Sequence, residues 1–394
     1  MKLAKRCHIA PSLTLAMNTK AKQMKAKGID VISFAAGEPD FHTPDHVKEA
    51  GIKAINENKT YYTPASGINE LKEKVIQKLE KENGLSYKID EISINSGAKH
   101  SVFNTLAVLV EEGDEVIVPC PYWVSYSEMV RILGGIPIFI PKGEESGFKI
   151  TSEDLEKVAS VKTKVLLLNS PNNPTGAVYS KEELFALADY LQDKDIIVIS
   201  DEVYEKIVYG NNPHVSIASH SKNIKNRTVV INGVSKAFSM TGWRIGYAAG
   251  PKDIIGAINS MQGHTSGNPT SISQWASVAA LEMDNSFIED WVSEFRKRKD
   301  YIVKELNSIN DISCEDPEGA FYVFPKVSGV FGRTFQEQKI DDSVDLANYL
   351  LEYGRIATVP GKAFGADKYI RISFATSMEN IIEGIKRLKE SLVK

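Results

Sequence analysis

Cysteine is scarce in this chain. Cys7, Cys120 and Cys314 are odd in number, far apart and outside any CxxC spacing. That argues against a disulfide framework and against a thiolate metal site, so no metal is expected. An excess of one charge is missing as well: 47 Lys and Arg against 51 Asp and Glu leave a formal net charge of -4. Neither a basic nucleic-acid surface nor a disordered polyelectrolyte fits that balance. No apolar run reaches the length that spans a bilayer, and the opening stretch MKLAKRCHIAPSLTLAMNTKAKQMKAKG holds no apolar core of secretion-signal length. The expectation is a cytoplasmic protein with no nucleic-acid and no membrane partner. Without export, the glycosylation-like triplets at Asn58 and Asn226 are chance matches. No GxGxxG follows the first strands, which sets aside a nicotinamide-dependent dehydrogenase.

What is present is an alternation. The chain is too long for one core, and its middle sets short apolar or β-branched runs between longer stretches of helical period, the pattern of a parallel α/β sheet. Seven runs qualify as strands: EISINSG (91–97), DEVIVP (114–119), IPIFIP (136–141), KVLLLNSP (164–171), IIVISDE (196–202), TVVING (228–233) and RIGYAAG (244–250). Between them, KHSVFNTLAVLVEEG and SKEELFALADYLQDK read as amphipathic helices, the second opening on a capping box of Ser180 and Glu183. After a long charged helix at about 286–309 the rhythm changes to AFYVFP, RIATVPG and YIRISFATS. Residues 46–284 are therefore expected to form a large domain, with 1–45 and 285–394 making a smaller α+β domain.

Open parallel sheets bind ligands at the carboxyl ends of their strands, and the unusual residues of this chain gather there. Lys236 follows the apolar strand 228–233 and has no carboxylate beside it in sequence; burial would lower its pKa and make it an amine nucleophile. Asp201 ends another apolar strand. Its plain role is a cap or an ion pair, its functional one a buried anion facing a cation such as a protonated ring nitrogen. The turn Gly97-Ala98-Lys99 opens a helix and suits a phosphate, although a glycine there often serves only backbone freedom. Ser96-x-x-Lys99 also has the spacing of penicillin-binding enzymes, but the Lys-Thr-Gly partner is missing. Trp123 is either core or a stacking face. Arg244 and Arg371 each interrupt an apolar run, and buried guanidinium groups need anions, phosphate or carboxylate. An amine nucleophile, a phosphate cradle, an acid for a ring nitrogen, an aromatic face and a carboxylate clamp are together what pyridoxal phosphate requires.

From AAGEPDF (35–41) through YTPASGINEL (62–71), SGAKHS, DEVIVPCPYWVSY, NSPNNPTG (169–176), SDEVYE (200–205) and GVSKAFSMTGWRIGY (233–247) to RISFA (371–375), almost the whole chain resembles the fold-type I pyridoxal-phosphate aminotransferases. Within them it is most similar to the aspartate aminotransferase branch of bacteria and archaea. The resemblance implies a mainly parallel seven-stranded sheet between helices plus a smaller α+β domain. It implies that Lys236 carries pyridoxal 5'-phosphate covalently and later moves the proton between the substrate α-carbon and the cofactor. Asp201 would pair with the ring nitrogen, Asn173 and Tyr204 with the phenolic oxygen, and Trp123 would stack on the ring. The phosphate would be held by Gly97, Ala98, Lys99, Ser235 and Arg244, and by Tyr62 reaching across from a second subunit, which implies a homodimer with shared sites. Arg371 would clamp the substrate α-carboxylate with help from Gly37 and Asn173, next to Trp123. Some relatives bind the distal carboxylate with an arginine that SMQGHTSGNP (260–269) lacks; in this branch Lys99 takes that place. The implied reaction is amino transfer between aspartate or glutamate and a 2-oxo acid by a ping-pong cycle. Aromatic or prephenate-like donors, a carbon–sulfur lyase or decarboxylase on the same scaffold, and a non-enzymatic cofactor-binding module are the alternatives.

Overall fold

The seven apolar runs become seven strands of one sheet. In a computed structural model that describes residues 3–7, 9, 11–210, 213–282 and 286–393, these are β1 (Ile92–Asn95), β2 (Glu115–Cys120), β3 (Ile136–Pro141), β4 (Thr163–Asn169), β5 (Ile197–Asp201), β6 (Thr228–Gly233) and β7 (Gly246–Ala249). They lie in the order β1-β7-β6-β5-β4-β2-β3. All neighbours pair in parallel except β7, which runs antiparallel to both β1 and β6. The link from β6 to β7 holds one 3-10 turn, Thr241–Trp243, and no helix to carry the chain back across the sheet, so β7 returns beside β6 in the opposite sense.

Both faces of the sheet are covered, which is why its strands are apolar at consecutive positions rather than alternate ones. Val165 and Leu167 of β4 pack with Val102 and Leu106 of helix Ala98–Leu109. Leu166 and Leu168 point the other way, toward Leu184, Leu187 and Leu191 of helix Lys181–Leu191. Each such side chain, fully withdrawn from water, contributes about 1.5–3 kcal/mol. The predicted capping box is present: the Glu183 amide donates to Ser180 Oγ at 3.2 Å, and the Ser180 amide to Glu183 Oε2 at 2.7 Å.

The long charged helix spans Ser286–Leu306 and packs in a second core with β8 (Tyr322–Val323) and β10 (Ile370–Ser373). Between those two in sequence lies β9 (Val359–Pro360), and the three form an antiparallel sheet in the order β9-β10-β8. The amino-terminal segment joins this part of the chain. Ile32–Ser33 pairs in parallel with Ile356–Ala357, and Phe34, without solvent exposure, lies against helix Met378–Ser391. A Cβ at Gly384 of that helix would come within 2.4 Å of the Phe34 ring, so the close approach depends on glycine. The expected boundary at 284/285 falls outside the described residues. Among the described residues no helix is long and apolar enough to cross a membrane.

Candidate active site

Register along the sheet brings the chemistry to one edge. Asn169 at the end of β4 lies beside Asp201 at the end of β5, while Gly233 at the end of β6 lies beside Gly246. A cleft of about 370 Å3 opens there, and Tyr322 and Arg371 enter it from β8 and β10. Of the residues expected from sequence, Gly37, Ala98, Lys99, Trp123 and Asn173 line it, as do Asp201, Tyr204, Ser235, Lys236, Arg244 and Arg371. Gly97 borders it against Arg244. Tyr62 stands apart, 98% exposed and outside the cleft.

Asp201 is buried. Its carboxylate accepts from the Tyr126 hydroxyl at 2.6 Å and from the Val203 amide at 3.3 Å. Burial pushes its pKa up to about 6, and those two hydrogen bonds oppose the rise. Near neutral pH the group is still mostly an anion, and among the described residues no cation pairs with it. Its backbone carbonyl accepts from Asn169 Nδ2 at 3.0 Å, and Asn169 Oδ1 accepts from the Asn173 amide at 2.9 Å. One asparagine thus ties the turn after β4 to the end of β5.

Lys236 sits just beyond β6, its ammonium enclosed by protein while part of the side chain faces the cleft. Nζ donates to the Gly37 carbonyl at 2.5 Å and lies 5.7 Å from the Tyr204 ring and 5.9 Å from that of Phe321. Burial lowers its pKa to about 8 against the pull of Glu38, and the charges of Arg371 and Arg244 push the same way as burial. At pH 7 about a tenth of such a group is free amine, far more than for a solvated lysine.

Arg371, in β10, is 2% exposed. Nη1 donates to Asn173 Oδ1 and Nη2 to the Ala35 carbonyl, both at 3.0 Å, while Nε is buried without a partner. The guanidinium lies 4.4 Å from the Tyr322 ring centroid and 5.1 Å from that of Phe364. Burial lowers its pKa, and only the phenols of Tyr322 and Tyr204 act against this. Among the described residues no carboxylate pairs with it, and a desolvated cation left so is costly unless an anion arrives. The Tyr204 and Tyr322 hydroxyls share a hydrogen bond of 2.8 Å beside it.

Arg244 differs from its expected place. Sequence suggested a buried guanidinium, yet the residue is exposed at the mouth of the cleft. Its own left-handed backbone, φ 59, turns the side chain outward before β7 begins. Nη1 donates to the Thr241 carbonyl at 2.7 Å and Nη2 to the Ser96 carbonyl at 3.3 Å. Gly97, with φ +89, is what lets it approach: a Cβ there would be 2.3 Å from Arg244 Nη2. Gly97 is also the N-cap of helix Ala98–Leu109, whose first amides have no partner within the helix. Lys99 is exposed, with Nζ 4.9 Å from the Trp123 ring centroid. Burial of its stem and the charge of Arg244 both lower its pKa. Trp123 is half-buried and meets Tyr126 edge-on at 5.2 Å.

Sequence reasoning missed Tyr126, Tyr322 and Asn169. Tyr126 lies three positions after Trp123 in the same aromatic run, and Tyr322 in the middle of AFYVFP; their polar tips were the available signal. The arrangement fits the cofactor that the resemblance implies. An unpaired buried carboxylate suits a ring nitrogen, a depressed amine suits an aldehyde, and free helix-terminal amides with Arg244 suit a phosphate.

Residues 29–388 match the family model described as aminotransferase class I and II. The chain is 45% identical to an aspartate aminotransferase of Bacillus subtilis (strain 168), covering 100% of both chains. It is 46% identical, with the same coverage, to an aspartate/prephenate aminotransferase of Nitrosomonas europaea. Among solved structures, an aspartate aminotransferase from Thermus thermophilus with maleate superposes with a TM-score of 0.94 at 40% identity, covering 100% of each chain.

Proposed function

The chain belongs to the class I and II aminotransferases, and from that premise we propose that it moves an amino group between aspartate or glutamate and a 2-oxo acid, using pyridoxal phosphate in a homodimer. Arg371 carries this reading. It is a buried guanidinium with a free Nε, 3.0 Å from Asn173 and in the same cleft as an amine of depressed pKa. A substrate carboxylate supplies the missing anion, and its bidentate geometry fits the arginine fork.

When bound, pyridoxal phosphate supplies an electron sink conjugated to the bond broken at the substrate α-carbon. The residues that would hold it are Lys236 covalently, Asp201 at the ring nitrogen, Tyr204 and Asn173 at the phenolic oxygen and Trp123 at the ring face. Gly97, Ala98, Lys99, Ser235 and Arg244 would hold the phosphate, with Tyr62 from the neighbouring subunit. Lys236, whose buried amine is held well below the ordinary lysine range in the cofactor-free protein, would be the base that takes the proton from the substrate α-carbon and returns it. Asp201, whose anionic form the Tyr126 hydrogen bond favours, would hold a proton on the cofactor's ring nitrogen. Arg371 and Asn173 orient the α-carbon toward Lys236. In this reading residues 46–284 form the cofactor-binding domain, and 1–45 with 285–394 form the domain that brings Arg371.

Purified protein given aspartate and 2-oxoglutarate is expected to form oxaloacetate; no transfer from aspartate or glutamate to any 2-oxo acid would overturn the reading. Prephenate or aromatic substrates form a second reading, favoured by the position of Lys99. An exposed point charge beside the Trp123 ring discriminates a distal carboxylate less sharply than a bidentate arginine does. The Nitrosomonas relative's name is in keeping with it.

A further inference from the structure

Two glutamines without solvent exposure, Gln262 and Gln274, hold one loop from two sides. Gln262, on helix Lys252–His264, donates through Nε2 to the carbonyls of Ala65 at 2.5 Å and Ile94 at 2.8 Å. Its Oε1 accepts from Asn95 Nδ2 at 2.7 Å and Asn104 Nδ2 at 3.1 Å. Gln274, on helix Ser271–Glu282, donates to the Thr63 hydroxyl at 3.1 Å and the Pro269 carbonyl at 2.8 Å. Its Oε1 accepts from the Ile68 amide at 2.8 Å. A carboxamide has two N–H donors and an oxygen with two lone pairs, and Gln262 uses all of them. The partners also fix the orientation of both groups, because only nitrogen can meet a carbonyl.

Inward positions on a helix ordinarily take aliphatic side chains, and a buried carboxamide is tolerated only when satisfied. Three of the two glutamines' seven bonds, to Thr63, Ala65 and Ile68, hold the loop 63–68, and the others tie it to Ile94, Asn95, Asn104 and Pro269. The Ile94 amide adds a bond to the Ser66 carbonyl at 3.0 Å, and Gly67, with φ +94, lets the loop lie on β1, since a Cβ there would meet Ile94 at 2.4 Å. Directly before this clamped stretch stand Tyr61 and Tyr62, 79% and 98% exposed. At the other end of the network Asn95, the last residue of β1, accepts from Ser101 Oγ at 2.7 Å and lies two residues before Gly97.

We propose that Gln262 and Gln274 are positioning residues that hold Tyr62 at the angle needed to reach the phosphate bound by a second copy of this chain. This rests on the reading of Tyr62 given above. An exposed tyrosine contributes more to a site across an interface when its backbone is already fixed, because ordering it on binding costs affinity.

The test is a double-mutant cycle on the full chain, with Kd measured for pyridoxal phosphate and for pyridoxal, which lacks the phosphate. Gln274→Glu and Gln262→Glu keep the acceptors and the shape but remove the amide donors; Thr63→Ala removes one clamp contact and leaves both glutamines in place should those variants fail to fold. Each is expected to raise Kd for pyridoxal phosphate roughly tenfold, leave that for pyridoxal unchanged, and add nothing in a Tyr62→Phe background. Equal weakening toward both ligands, no weakening, or a full effect without the Tyr62 hydroxyl would overturn the proposal while Tyr62 keeps its role. If Tyr62→Phe alone leaves Kd for pyridoxal phosphate unchanged, the assignment of Tyr62 fails and the proposal with it.

Discussion

Arg371 and Asn173 meet across 198 positions of sequence, Nη1 donating to Oδ1 at 3.0 Å inside the protein. Both are held by further contacts. Asn173 is anchored by Asn169, which is itself bonded to the backbone of Asp201, and Arg371 lies between the rings of Tyr322 and Phe364. One hydrogen-bond chain therefore runs from Arg371 through Asn173 and Asn169 to Asp201, and in the proposed reading it would set a substrate carboxylate and the cofactor ring in register with each other.

Arg371→Lys tests the fork. A lysine keeps the charge but lacks the planar fork, so it cannot pair bidentately with a carboxylate while also holding Asn173 and Ala35. The expected outcome is a fall in kcat/KM for aspartate of roughly 10–100-fold, carried mainly by KM. Steady-state kinetics check it, with the absorbance of bound cofactor serving to show that the rest of the site is intact.

Lys236→Met should end turnover, and it should also change stability in a pH-dependent way. In the cofactor-free protein the Lys236 pKa is lowered to about 8 from 10.5, so the folded state resists protonation that the unfolded chain accepts. The stabilising contribution of the neutral amine is full above 10.5 and is lost as pH falls toward 8. Below that the buried ammonium costs about 1–3 kcal/mol, allowing for partial screening through the cleft. Cofactor-free Lys236→Met is thus expected to melt higher than the parent at pH 7, with the gap closing between pH 8 and 10.5. Calorimetry across that range checks it; a pH-independent gap would mean that the amine is not desolvated.

Asp201→Asn has the opposite pH signature. Its folded pKa is raised to about 6, so its contribution to stability is full below about 3.8 and is lost as pH rises through 6. An asparagine oxygen can still accept from the Tyr126 hydroxyl. The cofactor-free variant should match the parent near pH 4 and exceed it by about 1–3 kcal/mol above pH 6. Turnover should fall roughly a hundredfold or more, because the charge proposed to pair with the cofactor's ring nitrogen is gone. Urea unfolding at the two pH values and a single-turnover assay check the two halves separately.

The sheet was legible because burial on both faces makes its strands apolar at successive positions, as in Val165–Leu168. The direction of β7 was not: the apolar run at 244–250 has the same composition whichever way it runs, and the reversal depends on the helix-free link after β6. The location of Lys236, Asp201 and Arg371 could be read because a titratable group inside an apolar run has few places to go. Arg244 interrupts such a run in the same way, yet a single left-handed residue turns it outward, and backbone sign leaves little trace in sequence unless glycine marks it. Gln262 and Gln274 escaped notice for another reason. A glutamine among Met261, Gly263 and Thr265 reads as surface until the helix phase and the loop it faces are known together.

Lys99→Gln separates the two substrate readings. Lys99 Nζ stands 4.9 Å from the Trp123 ring centroid and the residue is exposed, whereas Arg371, which lines the same cleft, is buried. A distal carboxylate meeting it there remains partly solvated, so the pair is worth less than a buried one. Replacing the ammonium by an amide removes that attraction and does little to an aromatic side chain, which carries no distal charge to pair with it. The expected result is a fall of roughly tenfold in kcat/KM for aspartate, with the value for phenylalanine held or raised. Lys99 also borders the phosphate turn, so Kd for pyridoxal phosphate must be measured in the same variant. A loss confined to aspartate assigns Lys99 to the substrate, whereas an equal loss for both amino acids with weaker cofactor binding assigns it to the phosphate.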